Sequence, residues 1–258
     1  MADQSNYDSL DTPMLTNLLL SPEQRPEIHR GALSALSRRS PAQRTSQLIR
    51  ILKNIADFPE RYNQDVMMSV IDLLATDPDP DATLAMLEML PRVLEIAIEN
   101  KDALKPEFRE YYYTALVSRQ RDSDLNVWRE MLPALEPKTL VAALVDPVAE
   151  PLQAIEPLTL IDRLSEPQRS KALISAIAGM AHTRRPTERI LEAAQLLSQS
   201  HDPAQLEQGI EALSQRWERA KKANAEAQAA CLEAALRVLD TRPRTAAEKL
   251  MGKRPWAS

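Results

Sequence analysis

A five-residue phrase, Ser-x-x-Gln-Arg, is written three times in this chain: at Ser21–Arg25, Ser40–Arg44 and Ser165–Arg169. Serine followed three residues later by glutamine is a helix-opening device. The serine oxygen accepts an orphan backbone N–H, and the glutamine reaches back to the cap. In the first two copies proline follows the serine, and proline suits the first helical position, where no N–H is needed. Asp202-Pro203-Ala204-Gln205 is the same device with aspartate, and Thr12-Pro13, Glu136-Pro137, Asp146-Pro147 and Glu156-Pro157 read as related starts. The chain holds 19 prolines and only 4 glycines. Prolines placed this way open or close helices. So few glycines leave little room for tight hairpins or phosphate-cradling loops.

Hydrophobic spacing agrees. Leu48, Ile51, Leu52 and Ile55 recur at i, i+3, i+4, i+7, as do Phe108, Tyr111, Tyr112, Ala115 and Leu116 one step longer. The pattern predicts helices near 12–20, 22–38, 41–56, 59–76, 80–99, 105–119, 122–135, 137–145, 147–155, 157–164, 166–181, 186–199 and 203–239, the last breaking near 221–226. No strand is expected. The implied organisation is a flexible lead (1–11), one helical domain (12–240) with irregular short helices at 137–164, and a flexible basic tail (241–258).

A longer recurrence is also present. Glu-Met-Leu-Pro occurs at Glu88–Pro91 and Glu130–Pro133, and Pro-Glu opens a helix at Pro59 and Pro106. The Asp-rich turns at 76–81 and 121–124 lie between them. A two-helix unit of roughly 40–47 residues has the length of HEAT and armadillo repeats. Over residues 20–135 the pattern resembles HEAT repeats. The resemblance implies a right-handed stack of antiparallel helix pairs, an all-α solenoid of about a dozen helices.

Charge is uneven. Residues 1–55 carry +2, residues 56–162 carry −12 and residues 163–258 carry +5. An acidic middle argues against wrapping nucleic acid, which needs a basic stripe, and suits a basic partner. Cys231 is the single cysteine, so neither an internal disulfide nor a thiolate zinc site can form. The N-terminus lacks the basic and apolar segments of a signal peptide, and no apolar run reaches membrane-spanning length. A cytoplasmic location is expected.

The chemistry is sparse. Asp77, Asp79, Asp81 and Glu88 stand at positions 1, 3, 5 and 12 of a calcium loop, but Ala82 occupies position 6, where a left-handed glycine makes the sharp turn. The segment reads instead as an acidic turn in which Asp81 caps the next helix. His201-Asp202 suggests a helical metal hydrolase, but Asp202 serves better as a cap and His182 as a helix C-terminal group. Cys231 reads as a small core residue, and Tyr111 and Tyr112 as core with Tyr113 pointing away. Trp128 and Trp217 fit either core or interface. The tail holds Arg242, Arg244, Lys249, Lys253, Arg254 and Trp256 against one acid, a charge of +4 with an aromatic anchor.

The expectation is therefore a non-catalytic adaptor or scaffold with no cofactor, binding another protein or a peptide, or associating with itself through its tail. Its candidate contact residues are Asp77, Asp79, Asp81, Asp122 and Asp124 in the acidic turns and the six tail residues. The alternatives are a HEAT-like nucleic-acid-modifying enzyme, which would need a basic groove, and a metal-dependent hydrolase, which would need converging His and Asp ligands.

Overall fold

The computed structural model describes residues 5–21, 23–99, 104–122, 125–200 and 202–240. Among them the protein is all-α, with no strand. The helices are α1 (Ser5–Asp8), α2 (Thr12–Leu20), α3 (Pro26–Ser37), α4 (Pro41–Asp57), α5 (Gln64–Ala75), α6 (Pro80–Glu99), α7 (Pro106–Asp122) and α8 (Leu125–Met131). They continue as α9 (Pro137–Val145), α10 (Pro157–Asp162), α11 (Gln168–His182), α12 (Thr187–Ser198), α13 (Pro203–Lys222) and α14 (Glu226–Asp240). Single 3₁₀ segments lie at Pro59–Arg61, Leu132–Ala134 and Glu150–Ile155.

The helices fall into two compact units. Unit 1 runs to Leu135 and includes Val148–Ile155; unit 2 comprises Glu136–Pro147 and the chain from Glu156. The irregular segment explains the split. The chain enters unit 2 with α9, returns to lay Glu150–Ile155 against α7, then leaves again at α10.

Within unit 1 helices pack on near neighbours along the chain, most often on the next helix or the next but one. Thus α2 meets α3 and α4, α3 meets α5, α4 meets α5 and α6, and α5 meets α6 and α7. The predicted stripe Leu48, Ile51, Leu52 and Ile55 is wholly buried in this packing. Each such side chain stabilises the fold by roughly 1.5–3 kcal/mol. Residues 5–8, read as part of a loose lead, form a helical turn whose Asp8 accepts from Arg38 Nη2 at 2.5 Å. In unit 2, α11 lies so close to α9 that a Cβ on Gly179 would overlap Val145.

The repeated phrase has three different fates. Ser40 is the extended residue before α4, with Pro41 at the first helical position, but its side chain makes no cap bond. Ser21 closes α2 instead: its hydroxyl donates to Asn17 O at 2.9 Å, and α3 begins only at Pro26. At Ser165–Arg169 the capping carboxylate belongs to Glu166, which accepts from Ser170 N at 3.2 Å. A capping box forms in none of them. Asp202 does cap as expected, accepting from Ala204 N and Gln205 N. The break expected in the last helix falls at Ala223–Ala225. There Asn224 takes φ 53° and Ala225 N donates back to Ala220 O, a Schellman ending with asparagine in the left-handed position.

The longer recurrence does not mark equivalent places. Pro91 lies inside α6, whereas Pro133 lies in the 3₁₀ turn after α8. Pro106 opens an α-helix, but Pro59 opens a 3₁₀ turn, and α5 starts afresh after Asn63 caps it. Short tetrapeptides repeat without repeating their surroundings.

Candidate functional site

The acidic turn between α5 and α6 is built inward. Asp77 is only 2 % exposed. Its Oδ2 accepts from Arg44 Nε at 3.1 Å, and its Oδ1 accepts from Asp79 N at 3.1 Å. Arg44 also donates to Ser37 O at 2.9 Å, tying the end of α3 to the same point. The carboxylate expected to greet a partner is thus spent within the fold. Asp79, rather than Asp81, receives the next backbone N–H, from Asp81 at 3.0 Å. Asp79 is half-buried and Asp81 exposed. The segment from Pro80 is already helical, so residues 81–88 cannot form the loop a calcium site requires. Glu88 lies along α6 with its carboxylate 3.7 Å from Lys53 Nζ.

Arg119 of α7 completes this turn from the other side, a role sequence reasoning missed. It is 5 % exposed. Its guanidinium donates to Leu74 O at 2.5 Å, Ala75 O at 3.1 Å, Asp77 O at 2.7 Å and Asp79 O at 3.0 Å, and its Nε to Thr83 Oγ1 at 2.5 Å. These carbonyls lie at the end of α5 and in the turn that follows it, and one planar fork covers them. Burial lowers the arginine's pKa from its ordinary value, and the charges of Asp77 and Asp79 oppose that. A buried arginine within a polar helix carries no periodic signal, so nothing in the sequence marked it.

Unit 2 holds a second polar cluster. Arg169 Nη2 donates to Asp162 Oδ1 at 2.7 Å and to Leu196 O at 2.6 Å, and its Nη1 to Glu166 Oε1 at 3.3 Å. Ser200 Oγ donates to Glu166 Oε1 at 3.0 Å. Partial burial pushes the Glu166 pKa up, but bonds from Ser170, Ser200 and Arg169 outweigh it, and the net shift is downward from 4.5. A carboxylate with a depressed folded pKa contributes stability that is present above its unfolded value and lost as pH falls through the folded one. Acidification from pH 6 should therefore destabilise unit 2 progressively below about pH 4.5. Chemical denaturation at stepped pH should show that part of the acid slope missing in Glu166→Gln. An unchanged slope would mean that the cluster does not bind the anion preferentially.

The aromatic run sits differently from expectation. Tyr112 and Tyr113 are both fully buried, whereas Tyr111 is half-exposed and donates its hydroxyl to Asp72. The segment Glu150–Ile155 packs on α7 and covers a second side of the helix, which a single amphipathic stripe cannot anticipate. Trp128 is buried, while Trp217 is partly exposed with Lys221 Nζ 5.0 Å from its ring centre. Cys231 is half-buried. His29 is buried with Nε2 3.0 Å from Ser21 O, and His182 is exposed at the end of α11. Among the described residues no group of three or more His, Cys, Asp or Glu side chains is placed to share a metal ion.

Of the other sequence-derived contact residues, the side chain of Asp122 lies outside the described residues. So do Asp124, Arg242, Arg244, Lys249, Lys253, Arg254 and Trp256. What the structure does bring together is an acidic face. On the packed pair α5 and α7, Asp65, Asp72, Glu107 and Glu110 are exposed. The cations of α7 that are described, Arg109 and Arg119, are buried. Exposed charge on the described side chains of these two helices is therefore all negative. A half-open cleft of about 360 Å³ lies at the α13–α14 turn, lined by Lys221, Asn224, Glu226 and Glu233 among others. No described helix is long and apolar enough to cross a membrane.

No family model matches the chain, and no curated protein matches it.

Proposed function

We propose that this protein is a non-catalytic, cytoplasmic scaffold of HEAT-like helix pairs that holds a basic segment of another protein on the α5–α7 face of unit 1. The single observation behind this reading is that face: four exposed carboxylates on two adjacent helices with no exposed described cation on either. Next-and-next-but-one packing supports the solenoid part, because it is the pattern of helix pairs stacked in two layers. Such stacks expose whole helix faces as binding surfaces. Asp79 and Asp81 border the same unit and add to its negative field. The +4 tail is proposed as a second contact, with Trp256 as its anchor on an acidic surface of a partner or of another copy.

The test is affinity capture from native cells with quantitative mass spectrometry at low and high salt. It compares the wild-type chain with a variant carrying Asp65→Asn, Asp72→Asn, Glu107→Gln and Glu110→Gln. A specific partner should be enriched by the wild type, fall by about tenfold or more in the variant, and weaken with salt as exposed charges are screened. Capture that ignores both the substitutions and the salt would overturn the assignment of this face.

A further inference from the structure

The two turns that precede α6 and α13 are made the same way. Asp77 Oδ1 accepts from Asp79 N, and Asp79 Oδ1 accepts from Asp81 N, with Pro80 opening α6. In unit 2, Ser200 Oγ accepts from Asp202 N, and Asp202 Oδ1 accepts from Ala204 N, with Pro203 opening α13. Residue by residue, Asp77 corresponds to Ser200, Asp79 to Asp202 and Pro80 to Pro203.

The match extends in both directions. Counting back from each turn proline, Leu74 pairs with Leu197 and Val70 with Ala193, all fully buried. Counting forward, Leu87 pairs with Ile210 and Leu90 with Leu213, again all buried. The helices before them match from the shared phrase: Leu48 pairs with Leu173, Leu52 with Ile177 and Ile55 with Met180, none more than 1 % exposed. Thr45 and Ser170, the residues just after the phrase, are both buried hydroxyls. The packing agrees too. The first helix of each set meets the second and third (α4 on α5 and α6; α11 on α12 and α13), and the second and third meet the fourth (α7; α14); the sets differ in that α5 also packs on α6 and α11 also packs on α14. Amphipathicity would align the faces of any one helix pair. It does not require the turn chemistry, the helix order and the packing partners to coincide as well.

We infer that α4–α7 and α11–α14 are two copies of one four-helix module, each latched by a polar contact between the start of its first helix and the turn between its second and third. The latches differ by an exchange of one carboxylate. In unit 1 the residue after the motif serine is Pro41, and the carboxylate stands in the turn as Asp77, 3.1 Å from Arg44. In unit 2 the carboxylate stands after the motif serine as Glu166, and the turn supplies the Ser200 hydroxyl, 3.0 Å away. Arg44 and Arg169, the last residues of the phrase, serve the carboxylate in both. This inference is independent of whether the protein binds a partner.

The exchange can be written back into the full-length chain. Ser200→Asp alone sets a second carboxylate beside Glu166, and Glu166→Pro with Pro167→Ala alone removes the carboxylate that Ser200 meets, leaving Arg169 with Asp162. Each should lower the melting temperature by about 4–8 °C, given roughly 2–4 °C per kcal/mol for a chain of this size. The three substitutions together reproduce the latch of unit 1. They should return the melting temperature to within about 3 °C of wild type, a non-additivity expected only of groups in one network. The reciprocal set, Asp77→Ser with Pro41→Glu and Ala42→Pro, repeats the test in unit 1. Recovery in either unit upholds the equivalence. Failure of both combined variants to recover, whether they melt early or do not fold by circular dichroism, overturns it.

Discussion

Arg119→Ala should lower the thermal midpoint of unit 1 by about 6–20 °C. The arginine donates to the carbonyls of Leu74, Ala75, Asp77 and Asp79, and it sits beside the buried Asp77 carboxylate. Truncation removes the guanidinium from all four carbonyls, leaving Leu74 O and Asp79 O with the backbone N–H groups of Asp77 and Ala82, which costs about 3–5 kcal/mol by the usual penalty for breaking a buried charged network. At roughly 2–4 °C per kcal/mol this gives the stated range. Arg119→Lys should recover less than half of the loss, since an ammonium is a point donor and cannot span a fork of carbonyls. Melting curves followed by circular dichroism at 222 nm, a standard helix wavelength of roughly this value for any helical protein, would decide it. A wild-type midpoint in Arg119→Ala would mean that the turn is held by Arg44 and Asp77 alone.

Tyr112→Ala should cost about as much, for a different reason. The ring is fully buried between Phe108, stacked at 6.3 Å, and Tyr113, edge-on at 6.0 Å, and its hydroxyl donates to Met86 O. Removing a buried aromatic side chain typically costs about 3–5 kcal/mol in lost transfer and cavity terms. Tyr112→Phe keeps the ring and loses only the hydrogen bond, so it should cost about 1–2 kcal/mol. The pair therefore separates packing from polarity. Burial also pushes the phenol's pKa well above its ordinary value, so Tyr112 should stay unionised in ultraviolet titration until the fold opens. Equal losses in the two variants would show that the hydroxyl, and not the ring, holds α7 to α6.

Much of the fold could be read from local signals. The boundaries of α2, α6 and α9 coincide with those expected, and the break after Lys222 lies where Lys-Lys-Ala-Asn was expected to end a helix. The helix starts follow from proline at the first turn and from 3.6-residue spacing, and in the structure the break is made by a left-handed Asn224; all of these act within a few residues. The candidate site was less legible. Asp77 reads as surface because aspartates in an Asp-Pro-Asp-Pro turn usually are, yet Arg44 of α4 and Arg119 of α7 both reach it and it is buried. Tyr113 reads as outward because one stripe already accounts for its helix, whereas in the fold it is buried on a helix that also packs against Glu150–Ile155.

The phrase Ser-x-x-Gln-Arg shows where the division lies. Sequence alone determined that the chain is helical, where most helices begin, and that its charge is concentrated in the middle, because each of these follows from neighbours along the backbone or from composition. What the arginine of that phrase touches was decided only by tertiary structure. Arg25 precedes a helix, Arg44 reaches Asp77, and Arg169 reaches Asp162, Glu166 and Leu196 O. A long flexible side chain near a helix start can reach several partners at almost the same local cost. Which one it takes depends on the carboxylate or orphan carbonyl that packing of distant segments brings within about 3 Å and removes from water.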